Sequence, residues 1–105
     1  MFALTARHIN AITGRAIFTQ NGDIMIDLHT HCFFSDGELV PAEHVRRVEI
    51  LGYEAIAITD HADSSNIDFI LPRIIKAATD MNRYSSTRLL AGIELTHVPL
   101  ELMEN

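Results

Sequence analysis

Apolar residues concentrate in three short runs that each end abruptly in polar or charged residues. The runs are Ile24-Met25-Ile26-Asp27-Leu28, Ala55-Ile56-Ala57-Ile58-Thr59 and Leu89-Leu90-Ala91-Gly92-Ile93-Glu94-Leu95. Runs of this length without helical spacing suit strands of a parallel sheet, buried on both faces. They predict strands over 24–28, 55–59 and 89–95. Between them the period changes. Pro41 opens a helix well, because its missing N–H falls where a donor would be unpaired anyway. After it, Val45, Val48 and Leu51 share one face, and Gly52 stops the helix. From Asn66 to about Tyr84, Ile70, Ile74, Ala77, Ala78 and Met81 make a second apolar stripe at helical spacing. A break is expected at Leu71-Pro72, since proline removes a backbone donor and restricts the residue before it. Pro99 to Asn105 reads as the opening of another helix. Met1 to about Asp23 carries no pattern beyond a short helix or hairpin.

Strand–helix alternation of this kind predicts an α/β chain with parallel strands and right-handed crossovers. In such folds ligands gather at the carboxyl ends of the strands. All three runs deliver metal-binding residue types there. The first leads into His29-Thr30-His31, and in an extended strand positions i and i+2 point to one face, so both imidazoles can address one cation. Asp36 follows in a Ser35-Asp36-Gly37 turn that can fold back over the same spot. The second run ends in Asp60-His61, the third in Glu94. Taken singly, each has a plainer reading. His29 and His31 could be polar residues at a strand's solvent end, Asp60 a helix N-cap with His61 incidental, and Glu94 a solvated carboxylate. Three successive strands with His or Glu at the same end outweigh those readings, because a carboxylate emerging from an apolar strand is costly to bury unless paired or metal-bound.

Composition narrows the class. A chain of 105 residues with 48% hydrophobic content is one ordinary domain with a real core, and no apolar run is long enough to span a membrane. Residues 1–23 lack the apolar core and small-residue cleavage site of a signal peptide. A single cysteine, Cys32, rules out an internal disulfide and fits a reducing, cytoplasmic compartment; it reads as a small packed residue. The net charge of −6 argues against a broad nucleic-acid surface, and Arg46-Arg47 is the only adjacent basic pair. His8 and His44 are assigned to surface or helix faces.

The segments "DLHTHCFFSDGEL", "AIAITDHAD" and "AGIELTH" resemble, in order and spacing, the first three motifs of the PHP family, named for polymerase and histidinol phosphatase. The stand-alone histidinol-phosphate phosphatase-like subfamily is the most similar. The resemblance implies a distorted (β/α)7 barrel, of which three strands are only the N-terminal part: about three βα units in 24–105, preceded by an extension over 1–23. It implies that His29, His31 and Glu94 are ligands of a first metal, that Glu94 bridges to a second, and that Asp36 and His61 are ligands of a third. Asp27, Asp60 and His97 would stand just behind the ligands, although His97 reads equally as a loop histidine. A complete domain of this family holds up to three divalent ions, here zinc, manganese or iron. The implied chemistry is hydrolysis of a small phosphorylated substrate, such as histidinol phosphate, by water activated among those ions. Two alternatives stand beside it: a PHP nuclease or polymerase-associated exonuclease, and an inactive fragment that serves as a binding piece. With so few ligands, little activity is expected of the chain unless a partner, an oligomer or a complementing chain supplies more. An open edge after the third strand would favour such an association.

Overall fold

The computed structural model describes the backbone of residues 5–10 and 15–19 and all of residues 24–104. In chain order the elements are β1 (Thr5–Asn10), β2 (Arg15–Thr19), β3 (Ile26–Thr30), α1 (Pro41–Ile50), β4 (Ala55–Ile58), β5 (His61–Ala62), α2 (Ile67–Met81), β6 (Arg88–Ala91), β7 (Glu94–Leu95) and α3 (Leu100–Met103). The five longer strands form one sheet in the order β1-β2-β3-β4-β6. β3, β4 and β6 are parallel, as the alternation predicts. Of the two expectations for the N-terminal stretch, the backbone follows the hairpin: β1 and β2 are antiparallel, and β2 pairs antiparallel with β3. The side chains of Ile9 and Phe18, and residues Phe2 and Ile12 altogether, lie outside the described residues, as does the side chain of His8.

Helices α1 and α2 pack on one face of the parallel strands. Ile56 and Ile58 of β4 and Leu89 of β6 meet Val45 of α1, Ile70 and Ile74 of α2, and Cys32 in one buried cluster. The opposite face is less covered than runs of continuous hydrophobicity suggest. Leu90 is 41% exposed, because adjacent residues of a strand point to opposite sides and both helices lie on the other one. Leu28, 38% exposed, falls in the stretch between Asp27 and Thr30 where the β3–β4 register shifts and the alternation breaks.

Two further expectations are corrected. Helix α2 runs through Pro72 without a break. Proline deletes only its own bond to the carbonyl of Asp68, and both residues lie on the exposed side of the helix, where losing one bond costs least. The third strand is divided: β6 ends at Ala91 and β7 begins at Glu94, where it pairs with β5 in a separate two-stranded parallel sheet, His61 opposite Glu94. Gly92 marks the bend. A Cβ there would lie 3.1 Å from Cγ2 of Thr59, so the two chains approach closely at that point.

Polar ties fix the ends. Asn82, just after α2, both accepts from the N–H of Leu89 (2.7 Å) and donates to its carbonyl (2.9 Å). Glu49 of α1 accepts from the N–H of Ser86 (2.8 Å), from its hydroxyl (3.0 Å) and from Arg46 (3.0 Å). Led by the Ser86 N–H, these donors pull the Glu49 carboxyl from its ordinary 4.5 down to about 2. A carboxyl depressed in the folded state contributes stability that is complete above its unfolded value and is lost as pH falls through the folded one. Glu49→Gln is therefore expected to flatten the loss of stability between about pH 4.5 and 2. Urea unfolding at pH 6 and pH 3 measures this; equal pH slopes in both proteins would rule the contribution out.

Candidate metal centre

The carboxyl ends of β3 and β4, and the start of β7, meet at one place. Thr30 of β3 faces α1: its hydroxyl donates to the carbonyl of Ala57 (2.6 Å), so it accepts from Nε2 of His44 (2.9 Å). Its neighbours His29 and His31 therefore both lie on the side away from α1. Nε2 of His29 lies 3.1 Å from Nε2 of His31 and 2.5 Å from Oε1 of Glu94; that oxygen is 3.5 Å from Nε2 of His31. A second group forms around the other nitrogen of the same ring. Nδ1 of His31 is 2.7 Å from Oδ1 of Asp36, whose Oδ2 is 3.3 Å from Nε2 of His61. Nδ1 of His61 returns to Oε2 of Glu94 at 2.6 Å, with Oγ1 of Thr96 at 2.7 Å. All five residues singled out as ligand types thus converge, and His31 and Glu94 each touch both groups.

Both groups have the composition and spacing to hold a cation. Bond lengths of about 2.0–2.2 Å to nitrogen and oxygen put neighbouring donors roughly 3–3.5 Å apart. His29 to His31, His31 to Glu94 and Asp36 to His61 lie in that range, whereas His29 to Glu94, His31 to Asp36 and His61 to Glu94 are at hydrogen-bond length. The protons point the same way. With its proton on Nδ1, directed at Glu94 and Thr96, His61 presents a lone pair at Nε2 toward a carboxylate oxygen of Asp36. Two acceptors facing each other are satisfied by a cation between them. His31 has one in-plane lone pair when neutral, so it serves one group at a time; when Nε2 is the ligand, Nδ1–H donates to Asp36 and orients the ring. The hydrogen bond to His31, followed by the charges on His31 and His61, holds the Asp36 carboxyl below its ordinary value.

The supporting residues divide. Asp27 is buried and accepts from the N–H of His29 (3.1 Å). Asp60 is not a helix cap. It precedes β5, the N-cap of α2 is Asn66, and the Asp60 carboxyl lies fully buried under residues 32–35. His97 stands outside both groups. It is exposed, adopts φ 55°, and helps line a cavity of about 290 Å³ shared with His61, Ala62, Asp63, Asn66 and Thr96. Burial, followed by the hydrogen bond to Asp60, pushes the Cys32 thiol up to about 12, so it stays protonated and unreactive near neutral pH. His44 lies on α1, on the helix's half-buried side, and is bonded to the residue between the two histidines. Its spacing from Val48, four residues on, is the sequence signal for the inner face of α1.

The PHP domain model matches residues 27–104, the stretch that carries all these side chains. The chain belongs to the PHP domain family. Among curated proteins it is 49% identical over 74 residues to an uncharacterized protein of Methanocaldococcus jannaschii, a match covering 70% of this chain and 34% of that protein. It is 31% identical over 85 residues to the 5′-3′ exoribonuclease Rnm of Salmonella typhimurium, covering 81% of this chain and 27% of that protein. The chain thus spans about a third of the length of the first of these relatives and about a quarter of the second. No solved structure matches it significantly. Among the described residues no helix is long and apolar enough to cross a membrane.

Proposed function

We propose that the protein is a metal-dependent phosphoesterase. In this reading His29, His31 and Glu94 hold one divalent cation, Asp36 and His61 belong to a neighbouring cation position, and Glu94 reaches both. The observation that carries it is the pair of His–carboxylate groups joined through His31 and Glu94 at strand carboxyl ends. Bound zinc, manganese or iron would supply Lewis-acid polarisation of a phosphate oxygen and water acidic enough to act near neutral pH. The chain's own residues do the placing. Asp27 ties down the backbone at His29, Asp36 orients His31, and Thr96 holds Nδ1 of His61.

The narrower proposal is a small phosphomonoester, histidinol phosphate being the specific form. The acidic balance supports it, as do Arg46 and Arg47, which are occupied with Glu49 and Glu43 and form no strip for a polynucleotide. The single buried thiol supports a cytoplasmic setting, and β6, standing at the end of the sheet order, supports a unit that pairs there with further chain or a second copy. A nuclease is the second reading, favoured by the similarity to an exoribonuclease.

Metal content by elemental analysis, measured beside turnover of p-nitrophenyl phosphate, histidinol phosphate and a 5′-phosphorylated RNA oligonucleotide, tests both. The expected result is metal-dependent release of phosphate from the small esters, weak in the chain alone, raised when a second copy or complementing chain adds ligands, and abolished in His29→Ala and Glu94→Ala. Turnover of the oligonucleotide alone would replace the first reading with the second. Metal bound with no turnover of any substrate would leave a non-catalytic binding module.

A further inference from the structure

We infer that Asp60 is a positioning residue: its buried carboxyl pins the loop between His31 and Asp36, so that the two side chains stay together beside His61. The inference rests on the metal-site reading above and deepens it. Asp60 has no exposed surface. A carboxyl so deeply buried is strongly unfavourable unless donors meet its oxygens. Three do: the N–H of Cys32 (2.9 Å) and the hydroxyl of Ser35 (2.5 Å) on Oδ1, and the thiol of Cys32 (2.9 Å) on Oδ2. All come from the one loop, from residues 32 and 35. The desolvation of Asp60 is therefore offset only while the loop keeps this conformation, and the loop's order is coupled to the end of β4.

The loop's internal bonds fit that role. The N–H groups of Ser35 (3.2 Å) and Gly37 (3.0 Å) both donate to the carbonyl of Cys32, and the N–H of Phe33 donates to the carbonyl of Leu39 (2.8 Å). His31 immediately precedes the first residue pinned by Asp60, and Asp36 immediately follows the last. Their side chains meet at 2.7 Å. On its other side Asp60 is bonded to His61, whose Nε2 faces Asp36. One buried residue thus sets the spacing of three donors carried by two segments 28 positions apart. Partners behind metal ligands of this kind change metal affinity by about 10–100-fold when removed.

The test compares the full chain with Asp60→Asn, Ser35→Ala and Ile74→Ala. Asp60→Asn keeps shape and one acceptor but loses the acceptor for the thiol. Ser35→Ala removes one donor without altering the buried carboxyl, and serves if Asp60→Asn does not fold. Ile74→Ala lowers stability in the buried cluster without removing any donor or acceptor of the Asp60 bonds. Two quantities are read: amide hydrogen exchange at Phe33, Ser35 and Gly37 against Ile56 to Ile58, and zinc and manganese affinity by calorimetry at a temperature where every variant is folded. The expected result is exchange accelerated selectively in the loop and cation affinity lowered about 10-fold or more in Asp60→Asn, with a smaller change of the same kind in Ser35→Ala. Ile74→Ala should leave the affinity of the folded protein unchanged. Equal acceleration in loop and strand, or affinity that falls as far in Ile74→Ala, would overturn the inference. If the unaltered chain binds neither cation, the functional reading fails by itself. Selective loosening of the loop then still supports the pin, and its absence overturns it.

Discussion

His31→Ala is expected to lower divalent-cation affinity by at least about 100-fold and to empty both groups, the largest single-residue effect at this site. His31 is the imidazole with one nitrogen in each: Nε2 lies beside His29 and Glu94, Nδ1 beside Asp36. A neutral His31 ligates one group through Nε2 and orients Asp36 of the other through Nδ1–H; removing even an orienting partner costs about 10–100-fold in affinity, so losing both roles at once lies at the upper end of that range or beyond. His29→Ala should weaken the Glu94 side while sparing the contact between Asp36 and His61, and Asp36→Asn should do the reverse. Metal content after dialysis, followed by titration calorimetry, separates the three. If His29→Ala and Asp36→Asn each remove all bound metal while His31→Ala retains some, the sharing of His31 is wrong.

Gly37→Ala should destabilise the protein by about 2–3 kcal/mol, the upper part of the range for forcing extra atoms into a packed site. A Cβ at Gly37 would stand 2.4 Å from the carbonyl oxygen of His31, 2.7 Å from its carbonyl carbon and 2.8 Å from that of Cys32. These are backbone atoms with no rotamer to yield, so the loop itself must move. A domain of this size loses roughly 4–8 °C of Tm per kcal/mol, which puts the expected drop at about 8 °C or more, with weaker cation binding. Gly52→Ala is the instructive contrast. Gly52 has φ 84° but nothing within 4 Å of an added Cβ, so its penalty is conformational and near 1 kcal/mol. Thermal melts of the two variants would reject the steric argument if Gly37→Ala melted no lower than Gly52→Ala.

Much of the architecture and of the site's residue list was legible in the chain itself. Short continuous apolar runs against a 3.6-residue period, Pro41 before one helix and Gly52 after it are local signals, so they can be read without the fold. They sufficed for three parallel strands with two helices between them and for five residues of metal-binding type near strand ends. Other features depend on neighbours distant in sequence. Whether Glu94 meets His29 depends on the order β3-β4-β6 and on the bend at Gly92 that re-pairs β7 with β5, neither of which has a local signature. Pro72 stays inside α2 because its face is open to water, and His44 turns inward because Thr30 is there to meet it. Asp60 illustrates the division most clearly. Its position after an apolar run marks it as polar where polarity is costly, but a cap, a ligand and a buried anchor share that local pattern. Only the fold of residues 31–37 over the end of β4, which brings three donors onto its two oxygens, decides among them.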